Sequence, residues 1–84
     1  MLKVWHEDAW ADYVWWQGQD RKTLRRINDL IKSIERDGRP LGKAEVLRHR
    51  GPGVCSVRID QANRLVYRVE GENLIILGCR GHYE

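Results

Sequence analysis

The chain has two cysteines, Cys55 and Cys79, too few for a disulfide scaffold. No apolar run is long enough to span a membrane. The opening Met-Leu-Lys-Val-Trp-His-Glu-Asp has neither the apolar core nor the small-residue cleavage site of a secretory signal. The expected setting is therefore the cytoplasm, with no membrane partner. Cys-x-x-Cys, His-Glu-x-x-His, Gly-x-x-x-x-Gly-Lys-Ser/Thr and Gly-x-Ser-x-Gly are all missing, which leaves zinc, nucleotide and serine-hydrolase chemistry without support. No metal or cofactor is called for. There is no internal repeat and no low-complexity segment.

What the chain does have is enough apolar content for one small core. Its 84 residues are 42% hydrophobic and 32% charged, too apolar for a disordered segment and too short for two cores. Residues 1–84 are read as one domain. The net charge of +3 is unevenly spread: residues 1–20 carry one Lys against four acids, 21–50 carry ten cations against four acids, and 51–84 carry four of each. Eleven of the fifteen cations are Arg, whose planar fork suits phosphate. A charge run of this kind is more commonly a solvated helix face.

Periodicity divides the chain in two. Leu2-Lys3-Val4-Trp5 alternates and reads as an opening strand. Glu7 and Asp8 put negative charge in the first turn of a helix running to about Gln17. Asp20 is a cap for a second helix, in which Leu24, Ile27, Leu30, Ile31 and Ile34 form one stripe, with Arg21, Lys22, Arg25, Lys32 and Arg36 opposite it. Asp37-Gly38 and Pro40 end that helix, 39–43 is a loop, and Glu45 is expected in the loop feeding the sheet.

From Val46 the period becomes two. Val54 to Ile59 and Arg64 to Val69 read as strands joined by Asp60-Gln61-Ala62-Asn63. Matching their apolar faces requires Ile59 opposite Asn63, which puts Arg58, Arg64 and Arg68 together on the other face. After the turn Gly71-Glu72-Asn73, the apolar run Leu74 to Cys79 reads as a central strand continuing toward His82 and Tyr83, with the even positions sharing a face. The fold class expected is α+β: a strand, two helices, then an antiparallel meander.

Among residues able to do chemistry, His6, Glu7 and Asp8 are best read as helix-start capping, and the two cysteines as small buried groups. Glu45, Arg48, His49, Arg58, Arg64, His82 and Tyr83 remain. A carboxylate, an imidazole and several guanidinium groups suit metal-free RNA cleavage by the ribose 2′-hydroxyl, which needs a base, an acid and cations around the phosphorane.

The stretches Trp5 to Trp16 with Trp-x-Asp-Tyr, Lys22 to Ile31, Gly42-Lys43-Ala44-Glu45-Val46-Leu47-Arg48-His49, Arg58-Ile59, Asn63-Arg64-Leu65-Val66-Tyr67 and Cys79-Arg80-Gly81-His82-Tyr83 carry a resemblance. The chain resembles the YoeB (Txe) toxins of the RelE superfamily over essentially its whole length. That resemblance implies an endoribonuclease that cuts messenger RNA in the ribosomal A site without a metal and is neutralised by a YefM (Axe) type antitoxin. It further implies a homodimer that reaches operator DNA only through the antitoxin complex. On it, Glu45 matches the general base, His82 the general acid and Arg64 the transition-state cation. Arg58 matches a phosphate contact, Tyr83 an RNA-orienting residue, and Arg48 and His49 basic neighbours. The helix cations Arg21, Lys22, Arg25 and Arg26 are read as a docking face for ribosomal RNA.

Two departures from the family pattern stand out. Val54-Cys55-Ser56-Val57-Arg58 lacks an aromatic at Cys55 and a cation at Val57, and Glu84 adds a carboxylate after Tyr83. The competing readings are a ParE-like toxin that poisons a protein such as gyrase, and a nucleic-acid-binding module without catalysis. The family's Glu/His set argues against the first. Of the tryptophans Trp5, Trp10, Trp15 and Trp16, the last two point to different sides of one helix. One of them is expected to reach the surface, as a dimer or antitoxin contact would need.

Overall fold

A computed structural model describes residues 1–81. Its elements are β1 (Leu2–Trp5), α1 (Glu7–Gln17), α2 (Arg21–Asp37), β2 (Glu45–Val46), a 3-10 turn at Arg48–Arg50, β3 (Val54–Arg58), β4 (Arg64–Glu70) and β5 (Asn73–Gly78). Both helices start and stop where local chemistry dictates. His6 accepts from the Asp8 N–H at the start of α1, and the Asp20 carboxylate accepts from the Lys22 N–H and the Thr23 hydroxyl at the start of α2. Gly38, at φ 76°, ends α2 in the left-handed conformation that side chains resist.

The five strands lie in the order β1-β5-β4-β3-β2. β3, β4 and β5 form the expected antiparallel meander, while β1 joins β5 in parallel. The hairpin register is the one the apolar faces require: Arg58 opposes Arg64, Val57 opposes Leu65, and the Ile59 N–H donates to the Asn63 carbonyl at 2.9 Å. The apolar run lies inside the sheet as β5, between β1 and β4, with β4 the middle strand.

One sheet face packs under the helices. Ile27, Leu30, Ile31 and Ile34 of α2 meet Val57, Ile59, Leu65, Tyr67, Leu74 and Ile76, with Ala9 and Trp16 closing the α1 side. Ile27, Leu30, Ile34, Leu65, Leu74 and Ile76 are fully buried, each stabilising the fold by roughly 1.5–3 kcal/mol against an exposed reference. On the opposite face Leu47, Val54 and Val66 make a smaller cluster, with Leu77 against it. Trp16 is 7% exposed and Trp15 37%, so the pair divides between core and surface as expected.

Two sequence expectations need correcting. Glu45 does not lie in a loop before the sheet; it opens the short strand β2, opposite Ser56. The last strand does not run regularly past Gly78. The pairing shifts between Val66 and Tyr67, whose partners are Gly78 and Ile76, so Leu77 is an extra residue. Leu74 and Ile76 face the helices, whereas Gly78 lies opposite Val66 of the other face. The even positions therefore do not share one face along the segment. Cys79 turns back into the main core. Among the described residues no helix is long and apolar enough to cross a membrane.

Candidate active site

The site follows from the shortness of β2. This strand pairs only with Cys55 and Ser56, so the edge of β3 at Val57 and Arg58 has no strand beside it. In the β3–β4 ladder Ile59 bonds Asn63; the alternation of an antiparallel pair then turns the Arg58 carbonyl outward to that free edge. Arg26 of α2 takes it, with Nη2 donating to the Arg58 carbonyl at 3.4 Å. The gap between this edge and the loop after α2 is an open cleft of about 240 Å³, lined by Arg26, Gly42, Lys43, Glu45, Val57, Arg58 and Arg64.

The loop that forms the outer wall is anchored. Ser33, buried in α2, donates its hydroxyl to the Leu30 carbonyl at 2.7 Å and accepts the Leu41 N–H at 3.0 Å. Gly42 then lies flat against the sheet: a Cβ there would come within 3.0 Å of Val57 Cγ2 and 3.5 Å of Arg26 Nη2. A side chain at Gly42 would push into the floor of the cleft.

Arg64 is the best-held cation. It is 8% exposed, its Nε donates to Ser56 Oγ at 3.0 Å, and its Nη2 stands 3.5 Å from Glu45 Oε2. Glu45, Ser56 and Arg64 thus meet across three neighbouring strands. Arg58 and Arg64 are directly opposite one another, an arrangement of like charges that costs stability. Among the described residues no carboxylate forms an ion pair with Arg26, Lys43 or Arg58. Among the described residues the cleft therefore holds four cations and one acid.

Of the residues named from sequence, Glu45, Arg58 and Arg64 come together here. Arg48 and His49 sit exposed on the 3-10 turn and do not line the cleft. Arg68 shares the Arg64 face but pairs with Glu70 at 3.0 Å, away from the cleft. Arg21, Lys22 and Arg25 are exposed on α2, whereas Arg26 is drawn out of that group into the cleft. His82 and Tyr83 lie outside the described residues. The segment leading to them is tethered at the site: the Arg64 N–H donates to the Gly81 carbonyl at 3.0 Å, and the Gly81 N–H to Asn63 Oδ1 at 2.8 Å. Two residues earlier in the bend, α1 holds Cys79 by both backbone groups. Its N–H donates to Asp12 Oδ2 at 3.0 Å, and its carbonyl accepts from Trp16 Nε1 at 2.8 Å.

Lys43 and Arg26 line the cleft and Ser56 holds Arg64 beside it; reading roles from sequence left these three out or put them elsewhere. Ser56 was findable, since it lies two residues before Arg58 on the same strand face. Arg26 gives no local signal, because its direction depends on a carbonyl of a distant strand, that of Arg58. Burial, with Asp12 adding, pushes the Cys79 thiol up to about 12, so it is a neutral packing group and not a nucleophile. Among the described residues no three His, Cys, Asp or Glu side chains are grouped as metal ligands would be.

Residues 5–83 match the family model described as the YoeB-like toxin of bacterial type II toxin-antitoxin systems. The chain belongs to this family. The Escherichia coli K12 toxin YoeB is 42% identical over 86 residues, covering 99% of this chain and 100% of the relative. A solved YoeB/ParE toxin from Agrobacterium tumefaciens superposes with a TM-score of 0.92 at 41% identity, over 99% of this chain and 100% of that one. The Staphylococcus aureus YoeB is similar both as a dimer (TM-score 0.90, 36% identity, 99% of this chain and 98% of that one) and in its complex with YefM (0.87, 36%, 99% of each). The YoeB-like family of type II toxins is thus supported by sequence over nearly the whole chain and by fold.

Proposed function

We propose that this toxin is a ribosome-dependent endoribonuclease that cuts messenger RNA in the A site by attack of the ribose 2′-hydroxyl. The observation that carries the reading is the Arg64 guanidinium, held by Ser56 and aimed at Glu45 in a cleft with three further cations that have no carboxylate partner among the described residues. Opposed and unneutralised cations are unfavourable in the free protein. A polyanionic substrate relieves that repulsion.

In the proposed reaction Glu45 accepts the 2′-hydroxyl proton, and the 2′-oxygen forms a bond to phosphorus. The bond to the 5′-oxygen breaks, and His82 gives that oxygen its proton. The products are a 2′,3′-cyclic phosphate and a free 5′-hydroxyl. Arg64 and Arg58 stabilise the charge that builds on the non-bridging oxygens, and Tyr83 orients the RNA. Arg48 and His49, on the neighbouring turn, contact RNA farther from the scissile bond. Arg21, Lys22 and Arg25 dock on ribosomal RNA.

The toxin is held inactive by a YefM-like antitoxin and works as a homodimer. Support comes from the S. aureus relative, solved in both assemblies, and from α1, where Trp10, Val14 and Trp15 are exposed.

Mapping of 5′ ends on translating ribosomes tests the proposal. Wild type should produce A-site cuts, and Glu45→Ala, Arg64→Ala and His82→Gln should abolish them without loss of folding. Inhibition of gyrase supercoiling with no messenger cleavage would overturn it in favour of a ParE-like poison.

A further inference from the structure

The cleft holds more cation than one scissile phosphate needs. A phosphodiester has two non-bridging oxygens, while each guanidinium offers five N–H donors; Arg58 and Arg64, side by side on the sheet, are enough to hold one such group. Arg26 and Lys43 approach from elsewhere, Arg26 from α2 and Lys43 from the anchored loop. Arg26 spends one N–H on the Arg58 carbonyl, which sets its direction. Beyond it the surface continues into a second recess of about 260 Å³, lined by Lys22, Thr23, Arg26, Ile59 and Asp60. The acid there is occupied: Asp60 Oδ1 accepts from the N–H groups of Ala62 and Asn63, both at 2.8 Å.

We infer that Arg26 and Lys43 form a second phosphate seat, which takes the phosphodiester next to the scissile one in a single-stranded RNA. The inference rests on the cleft being an RNA site, and it moves Arg26 from ribosome docking to substrate binding. The seat is built into the fold, because Ser33 fixes the loop and Gly42 lets it lie against Val57 and Arg26. It makes the protein itself grip two consecutive linkages of the messenger. Positioning of the cut then depends in part on the cleft and not on the ribosome alone.

The test uses the full chain and oligonucleotides blocked by 2′-O-methyl groups: a dinucleotide with one phosphodiester and a trinucleotide with two. Affinities are followed by NMR titration at several salt concentrations. Wild type should bind the trinucleotide about tenfold more tightly, the gain of one added charge-assisted contact. Arg26→Gln and Lys43→Gln should remove most of that gain, lower the salt slope for the trinucleotide by about 0.7 per lost contact, and weaken dinucleotide binding much less than trinucleotide binding. Lys32→Gln, an exposed cation elsewhere on α2, should change neither. Arg26→Lys should recover the salt slope.

If the variants bind both oligonucleotides as wild type does, or weaken both equally, the second seat is overturned while the RNA reading of the cleft stands. If wild type gains nothing from the second phosphate, the seat is likewise overturned. Binding of neither oligonucleotide, together with no cleavage on ribosomes, overturns both.

Discussion

The helix-covered face of the sheet and the free edge of β3 are built from the same strands but obey different rules. Under the helices, Val57, Ile59, Leu65, Tyr67, Leu74 and Ile76 meet an apolar stripe of α2 with almost no polar atoms. At the β3 edge, one residue out of step, Ser56, Arg58 and Arg64 meet Glu45 in an open cleft. The first arrangement lowers the free energy of the fold. The second raises it, by placing like charges opposite each other. A period of two therefore lets one hairpin serve stability on one face and the proposed chemistry on the other, so substitutions at adjacent residues should fail in different ways.

The largest effect should come from the core. Leu30→Ala removes a fully buried side chain and should destabilise the fold by about 2–5 kcal/mol, read as a lower urea midpoint with cleavage per folded molecule retained. If Leu30→Ala lost cleavage at full stability, the division between the faces would fail. Ser33→Ala comes next, because it strips the acceptor from the Leu41 N–H and should cost about 1–3 kcal/mol. It links the two regions, so cleavage should fall as well once the outer wall of the cleft loosens. Asp20→Ala removes the α2 cap at about 1 kcal/mol, and cleavage by the folded fraction should be unchanged.

The smallest effect within the neutral range is that of pH on the core. Cys79 and Tyr67 are both pushed up to about 12, chiefly by burial. Their folded forms hold protons that the unfolded chain releases near 9 and 10. Their contribution to stability is therefore fully present below about pH 9 and is lost as pH rises toward 12. Urea midpoints should fall less steeply across this transition in Cys79→Ala combined with Tyr67→Phe than in wild type, after allowance for the loss from the substitutions themselves. Thiol labelling should reach the half-buried Cys55 well before Cys79.

Much of the fold was legible because its determinants are local. Asp20 and Gly38 bound α2, and the odd loop from Asp60 to Ala62, with Ile59 opposite Asn63, follows from matching two apolar faces. The parallel pairing of β1 with β5 was not legible, because nothing in Leu2-Lys3-Val4-Trp5 names a partner some seventy residues away. Nor was the extra residue at Leu77, since an all-apolar run hides the alternation that would reveal a slip. In the site, Arg58 and Arg64 were paired by register alone, and the role of Glu45 came from family resemblance. Arg26 was hidden because its direction is set by the Arg58 carbonyl, thirty-two residues away in sequence.

The most direct test of this separation is to measure cleavage and unfolding together on Glu45→Gln. The side chain is 60% exposed and its one ion pair among the described residues is at 3.5 Å, so stability should change by no more than about 0.5 kcal/mol. A-site cleavage on translating ribosomes should fall by about 10²–10⁴-fold with loss of the general base. Cleavage at the wild-type rate from a fully folded Glu45→Gln protein would contradict the account.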